Sequence, residues 1–254
     1  MISYDLQGKT ALVTGGISGI GLATVEQLAG FGARVAVNHL PDDPRADDVL
    51  AALRSRGADV VTAPGDVGKA GEAEAMVEQA LEDLGGLDLL VNNAATPATR
   101  RLIPPAELDS LSEALWSEIW SVNMVGVWRC TRAAAPALRR CRGAVVNTAS
   151  VAGMGRVGSS IAYSAGKAGL INLTRDLARA LAPEVRVNAI APGAVDSPWM
   201  VEWSEEQRQA GIDQALLKRR NQPSDLAEVI VFLGFGARMV TGHCIPVDGG
   251  LLLS

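Results

Sequence analysis

Metal chemistry has little to stand on in this sequence. Its 254 residues include two histidines, His39 and His243, and three cysteines, Cys130, Cys141 and Cys244. There is no HExxH and no CxxC, hence no spacing suited to zinc. Three thiols leave one unpaired under any bridging scheme, which fits reduced thiols in the cytoplasm better than a disulfide scaffold. Positive charge is also scarce, with a net charge of -5. Phosphate-backbone affinity needs clustered Lys and Arg. The basic pairs here, Arg100 with Arg101, Arg139 with Arg140, and Lys218 to Arg220, are scattered, so no nucleic-acid partner is expected. No apolar run approaches the roughly 20 residues that span a bilayer. The opening "MISYDLQGKTALVTGG" lacks the basic-then-apolar form of a signal peptide, so no membrane association is expected either.

What is abundant is small and apolar. Hydrophobic residues make up 48% of the chain while aromatics make up only 4%, so the core must be built from Ala, Val, Leu and Ile, which let helices lie close to a sheet. The length suits one large domain spanning residues 1–254. Short apolar runs ("KTALVTG", "ARVAVNH", "ADVVTAPGD", "LDLLVNNA", "GAVVNTAS", "VRVNAIAP") alternate with stretches of helical periodicity at 20–31, 45–56, 70–84, 112–139 and 160–182. Continuous apolar strands are buried on both faces, and their alternation with helices implies right-handed βαβ units. The pattern predicts an α/β, doubly wound, Rossmann-type parallel sheet with helices on both faces. "HCIPVDGGLLL" adds a last strand at its edge.

The first strand runs into "TGGISGIG", with Gly15, Gly19 and Gly21 spaced G-x-x-x-G-x-G before a helix. Such a loop lets backbone approach a pyrophosphate at a positive helix end. Ligands of these folds lie beyond the carboxyl ends of the strands, so loops 14–21, 38–43, 65–68, 92–98, 148–150 and 191–200 should converge on one crevice. In "AYSAGKAGL", Tyr163 and Lys167 stand one helical turn apart. A cation beside a phenol lowers its pKa toward working pH and makes it a usable proton donor or acceptor.

These motifs, with "GDV" at 65–67, "NNA" at 92–94, "SVN" at 121–123, Ser150 and "APG" at 191–193, come in an order and spacing that resembles the short-chain dehydrogenase/reductase family, in its short single-domain branch. The resemblance implies reversible hydride transfer between a nicotinamide cofactor and a ketone or secondary alcohol. Its catalytic group would be Asn123, Ser150, Tyr163 and Lys167, with Tyr163 moving the proton and Ser150 sharing the substrate oxygen. Lys167 would tune the phenol and hold the ribose, and Asn123 would hold a water that links Lys167 to solvent. Cofactor contacts carry over to Gly15, Ser18, Gly19, Ile20, Gly21, Asn38, His39, Leu40, Asp66, Val67, Asn92, Ala94, Tyr163, Lys167, Pro192, Gly193 and Val195. Asn92 has a second reading, as a brace between strands. The alternative function is a non-catalytic NAD(P)-binding sensor, which would be expected to lose Tyr163 or Lys167.

Two departures matter. Asn38 and His39 stand where an NAD enzyme would carry an acid for the ribose 2′-hydroxyl, and Ser18 stands where the glycine loop often carries Arg. The expectation is tolerance of NAD and NADP with a lean to NADP, His39 lying near the 2′ group or on the surface. The connection between "NNA" and "SVN" carries an insertion, "TPATRRLIPPAELDSLSEALW", whose Pro104 and Pro105 prevent a continuous helix. It should form an extended loop bringing Thr96, Pro97 or Leu102 to the substrate. Residues 197–221 read as a lid, whose Trp199, Met200, Val201 and Trp203 would face either the substrate or the core. The substrate stays open among a 3-oxoacyl thioester, a sugar, a steroid and a small cyclic ketone. A homotetramer is expected.

Overall fold

The computed structural model describes residues 3–198 and 204–254. Seven parallel strands form one sheet in the order β3-β2-β1-β4-β5-β6-β7. They are β1 (Thr10–Val13), β2 (Arg34–His39), β3 (Val60–Pro64), β4 (Leu89–Asn92), β5 (Ala144–Thr148), β6 (Arg186–Pro192) and β7 (Cys244–Val247). Val13 pairs with Val37 on one side and Val91 on the other, so the chain reverses its direction of progress across the sheet at β1. That reversal opens a crevice at the carboxyl ends of the strands.

Helices α1 (Gly19–Gly30), α2 (Ala46–Ser55), α3 (Glu72–Leu84), α4 (Glu113–Trp120), α5 (Val127–Cys141), α6 (Ile161–Leu181), α7 (Glu205–Gln214) and α8 (Pro223–Val231) cover both faces. One face of the sheet buries Val13, Val35 and Val91 against Val25, Leu28 and Ile230 of α1 and α8. The other buries Leu12, Leu90 and Val145 against Met76, Ala134 and Leu138 of α3 and α5. The alanines on these helices permit the close approach expected from composition. No helix among the described residues is long and apolar enough to cross a membrane.

The single helix read over 112–139 divides in three. Between α4 and α5, residues Ser121–Gly126 form a π-helical segment. Such a segment shifts the register by one residue per turn and often marks a functional site. The insertion before α4 is a loop with one short 3₁₀ turn at Leu108–Ser110, as the prolines require. Its buried Ile103 donates its N–H to the Ser159 carbonyl at 2.9 Å, pinning the insertion to the loop before α6.

Residues beyond β6 leave and rejoin the sheet at one point. Val195 bridges Asn221, with the Asp196 N–H on the Asn221 carbonyl and the Asn221 N–H on that of Ala194. The excursion between those residues carries α7, started by a reciprocal cap between Ser204 and Gln207 and burying none of its own residues. Trp199, Met200, Val201 and Trp203 lie outside the described residues.

Candidate active site

All six loops expected at the carboxyl ends of the strands line one cavity of about 1040 Å³. Gly15, Ser18, Gly19 and Ile20 border it at the first turn of α1, while Gly21 does not. Gly15 and Gly19 have φ of +62° and +52°, a region that side chains with a Cβ rarely adopt. A Cβ on Gly21 would overlap the Gly15 carbonyl, so this glycine lets the helix pass under the loop. Ser18 makes no side-chain cap, leaving the first N–H groups of α1 turned toward the cavity. Bare backbone donors at a positive helix end fit a pyrophosphate.

Asn38 and His39 are placed differently from the expectation. Asn38 is 2% exposed; its Oδ1 accepts the Gly15 N–H at 3.1 Å and its Nδ2 donates to the Ala63 and Gly65 carbonyls at 2.9 Å each. A carboxylate could not donate to two carbonyls, so the missing acid of β2 has a structural reason. His39 is also buried. Its Nδ1 lies 2.8 Å from the Leu40 carbonyl and its Nε2 2.8 Å from the Thr62 hydroxyl. A carbonyl only accepts, so Nδ1 carries the proton and both ring nitrogens are used within the protein. The surface position expected as one alternative for His39 is not found; it is buried, and its edge and Leu40 border the cavity.

The cations at that end come from elsewhere. Arg45 and Lys69 border the cavity beside Asp43 and Asp66. The Arg45 Nε and Nη2 donate to Asp43 at 2.9 and 2.6 Å, a pairing that lowers the Asp43 carboxyl to about 2. Asp66 and Val67 line the cavity as expected, with the Asp66 Oδ1 accepting the Gly68 N–H at 2.9 Å. Arg129 on α5 holds the same turn through the Gly68 carbonyl at 2.8 Å. Sequence reasoning missed Arg45, Lys69 and Arg129, because their roles depend on the path of loops 40–45 and 65–69.

Ala94, Pro192, Gly193 and Val195 also border the cavity. Asn92 does not. Its Nδ2 donates to Thr131 Oγ1 and Asn147 Oδ1 at 3.1 and 2.9 Å, which is the brace reading. Asn123, fully buried in the π segment, stands behind the wall as well. Its Oδ1 accepts the Thr96 N–H at 2.8 Å and its Nδ2 donates to the Thr96 carbonyl at 2.9 Å. That double clamp sets Thr96 on the cavity and leaves the amide one further N–H and one further lone pair. Leu102 lines the cavity beside Thr96, whereas Pro97 does not. Trp199, the remaining expected substrate residue, is among those outside the description.

Ser150, Tyr163 and Lys167 meet at the other end. Ser150 follows β5 and caps the 3₁₀ turn Val151–Met154, its Oγ accepting the Ala152 N–H at 3.1 Å. The Ser150 hydroxyl stands near the Tyr163 phenol and favours its ionised form. Ser160 starts α6 by accepting the Tyr163 N–H at 3.1 Å, so both hydroxyl groups are set by caps. The Lys167 ammonium lies 5.6 Å from the Tyr163 ring centroid and donates to the Thr148 carbonyl at 2.7 Å. Burial pushes the phenol up to about 12, with Ser150 pulling the other way, and drives Lys167 down to about 7. The lowered phenol expected from the four-residue spacing is therefore absent without a ligand, because both groups lose water and Lys167 spends its bond on Thr148.

A family model described as enoyl-(acyl carrier protein) reductase matches residues 15–252. A ketoacyl reductase named for the granaticin polyketide synthase of Streptomyces violaceoruber is 38% identical over 96% of each chain. The chain belongs to the short-chain dehydrogenase/reductase family. A 3-oxoacyl-[acyl-carrier-protein] reductase of Staphylococcus aureus is 36% identical over 96% of this chain and 98% of its own. Among solved structures, a short-chain dehydrogenase/reductase from Burkholderia xenovorans superimposes with a TM-score of 0.89 at 36% identity, covering 97% of this chain and 98% of that one. A short-chain dehydrogenase from Burkholderia cenocepacia in complex with NADP gives 0.87 at 31%, covering 98% and 99%. As a member of this family the protein is an NAD(P)-dependent oxidoreductase, and the seven-stranded sheet is that of a Rossmann-type fold.

Proposed function

We propose that this enzyme reduces a ketone to a secondary alcohol, reversibly, with Tyr163 as proton donor. One observation carries the proposal: Ser150, Tyr163 and Lys167 stand together in the wall of the cavity whose far end is the glycine loop. Two converging O–H donors can hold a carbonyl oxygen and stabilise the charge that develops on it. A nicotinamide dinucleotide bound along the cavity would supply the hydride. Gly15, Ser18, Gly19 and Ile20 would hold its pyrophosphate, Asp66, Val67 and Ala94 its adenosine, and Pro192, Gly193 and Val195 its nicotinamide.

Tyr163 is protonated at every working pH in the free protein, ready to donate as the alkoxide forms. Lys167 must turn from the Thr148 carbonyl toward the ribose, where its charge favours the phenolate left behind. Asn123 acts as a positioning residue by fixing Thr96 at the substrate side. The lean to NADP is supported by Arg45 and Lys69 at the β2 and β3 end and by the NADP-bound neighbour. The names of the relatives favour a 3-oxoacyl thioester over a sugar, steroid or cyclic ketone. We place the protein in the cytoplasm as a homotetramer, which Trp120 and Trp128, each 41% exposed on α4 and α5, support.

The test is oxidation of NADPH followed by absorbance with acetoacetyl thioesters, wild type beside Tyr163→Phe. Turnover by wild type and its loss in the variant is expected. Equal rates in both would refute the assignment of Tyr163.

A further inference from the structure

The loop between Ser150 and Tyr163 carries a cation that the proposed chemistry does not use. Arg156 borders the cavity on the substrate side with Val157, Gly158 and Leu251. Its Nη2 donates to Gln214 Oε1 of α7 and its Nη1 to the Ser254 main-chain oxygen at 3.2 Å. A guanidinium has five N–H donors, so three have no protein acceptor among the described residues. No Asp or Glu side chain among those residues pairs with it, and the Ser254 oxygen it meets belongs to the last of the 254 residues. Lys167, the other cation near the reacting end, is spent on Thr148 and then on the ribose. Glu118 also borders the cavity, but it is exposed on α4 with the Thr96 hydroxyl 3.5 Å away.

We propose that Arg156 receives an anionic group of the substrate, so that the preferred ketones are anionic: small oxo acids, or thioesters on an arm that carries phosphate. Arginine forks match carboxylate and phosphate equally well, and both sources share that chemistry. Because the same guanidinium already holds Gln214, an anion seated on it is also tied to α7. This inference rests on the ketone-reductase reading above and names its substrate class.

The experiment compares matched pairs with NADPH. One pair is 3-oxobutanoate and its methyl ester; the other is acetoacetyl-CoA and the neutral N-acetylcysteamine thioester. Wild type is expected to show a kcat/KM at least tenfold higher for one or both anionic members, and the pair that responds identifies the source. Arg156→Gln should bring that ratio to within about twofold of one, with Arg156→Lys between them. Gln214→Ala, which loosens α7 and keeps the cation, should change both members of a pair together. A wild type that favours neither member, or an Arg156→Gln variant that keeps the ratio, overturns the inference. If no ketone is reduced, the reductase reading fails by itself. The anion site is then decided by calorimetric titration of the NADP-loaded protein with 3-hydroxybutanoate and with coenzyme A, binding lost in Arg156→Gln supporting it and no binding to wild type overturning it.

Discussion

Lys167 offers a test of the electrostatics that does not need the substrate. It is 2% exposed, and burial lowers it from the ordinary 10.5 to about 7 in the ligand-free protein. Between those values the unfolded chain binds a proton that the folded chain does not. Stability therefore rises with pH through the window, and the cost of the buried charge is complete only below about 7. The gap at 1.36 kcal/mol per pH unit amounts to about 5 kcal/mol. Lys167→Met keeps most of the stem and removes the titration, at the expense of the bond to the Thr148 carbonyl, a loss that does not vary with pH. Cys130, Cys244 and Tyr163, all pushed up to about 12, titrate alike in both chains and cancel in the difference. Denaturant unfolding of both at pH 7.0 and 8.5 should show wild type gaining roughly 1.6 kcal/mol relative to the variant, a little under 1.36 kcal/mol per unit because the folded Lys167 is half protonated at the lower pH. A difference constant to within about 0.5 kcal/mol would mean that the folded Lys167 keeps an ordinary pKa, and the reasoning about its burial would be wrong.

The same displacement bears on cofactor binding. Ribose hydroxyls that accept from Nζ should raise Lys167 again, so dinucleotide binding takes up a proton and its affinity should fall as pH rises above about 7; calorimetry in buffers of different ionisation enthalpy reads that uptake, and none would speak against Lys167 reaching the ribose. Tyr163→Phe should lower kcat by roughly 10² to 10⁴, the usual worth of a general acid, and Ser150→Ala by roughly 10² to 10³, with KM for the cofactor little altered. Arg45→Ala should cost roughly tenfold in kcat/KM with NADPH and little with NADH, since a charge-assisted bond at a side chain 59% exposed lies at the low end of its range; equal losses with both cofactors would remove Arg45 from the 2′ position. Deleting part of 99–108 should change the order of preferred ketones more than the affinity for cofactor, and an unaltered ketone profile would show that Thr96 and Leu102 do not meet substrate.

How far the sequence could be read depended on whether a feature was local. Strands and helices follow from runs and periodicities a few residues long, so the strands and the doubly wound parallel class of the sheet were legible, while the order β3-β2-β1-β4-β5-β6-β7 comes from the structure. The glycine loop and the Tyr163–Lys167 spacing were local enough to be read directly, whereas Ser150 entered through the family resemblance; the structure lines one cavity with all of them. What the sequence could not show were contacts made across the fold. Asn38 stands where an acid was looked for, and its partners are the carbonyls of Ala63 and Gly65, 25 and 27 residues on. Arg45 sits in an acid-rich stretch, "LPDDPRADD", that gives no sign of bordering a cavity. Asn123 illustrates the point most directly. Its place amid apolar residues marked it correctly as an amide that must have partners, but only the π turn and the bound Thr96 backbone reveal that the partner is the start of the insertion. One residue thus joins the π segment between α4 and α5 to the loop that begins at Thr96. Asn123→Ala should therefore displace Thr96 and raise KM for the ketone by more than it lowers kcat; a variant that lost kcat alone would return Asn123 to a role in proton transfer.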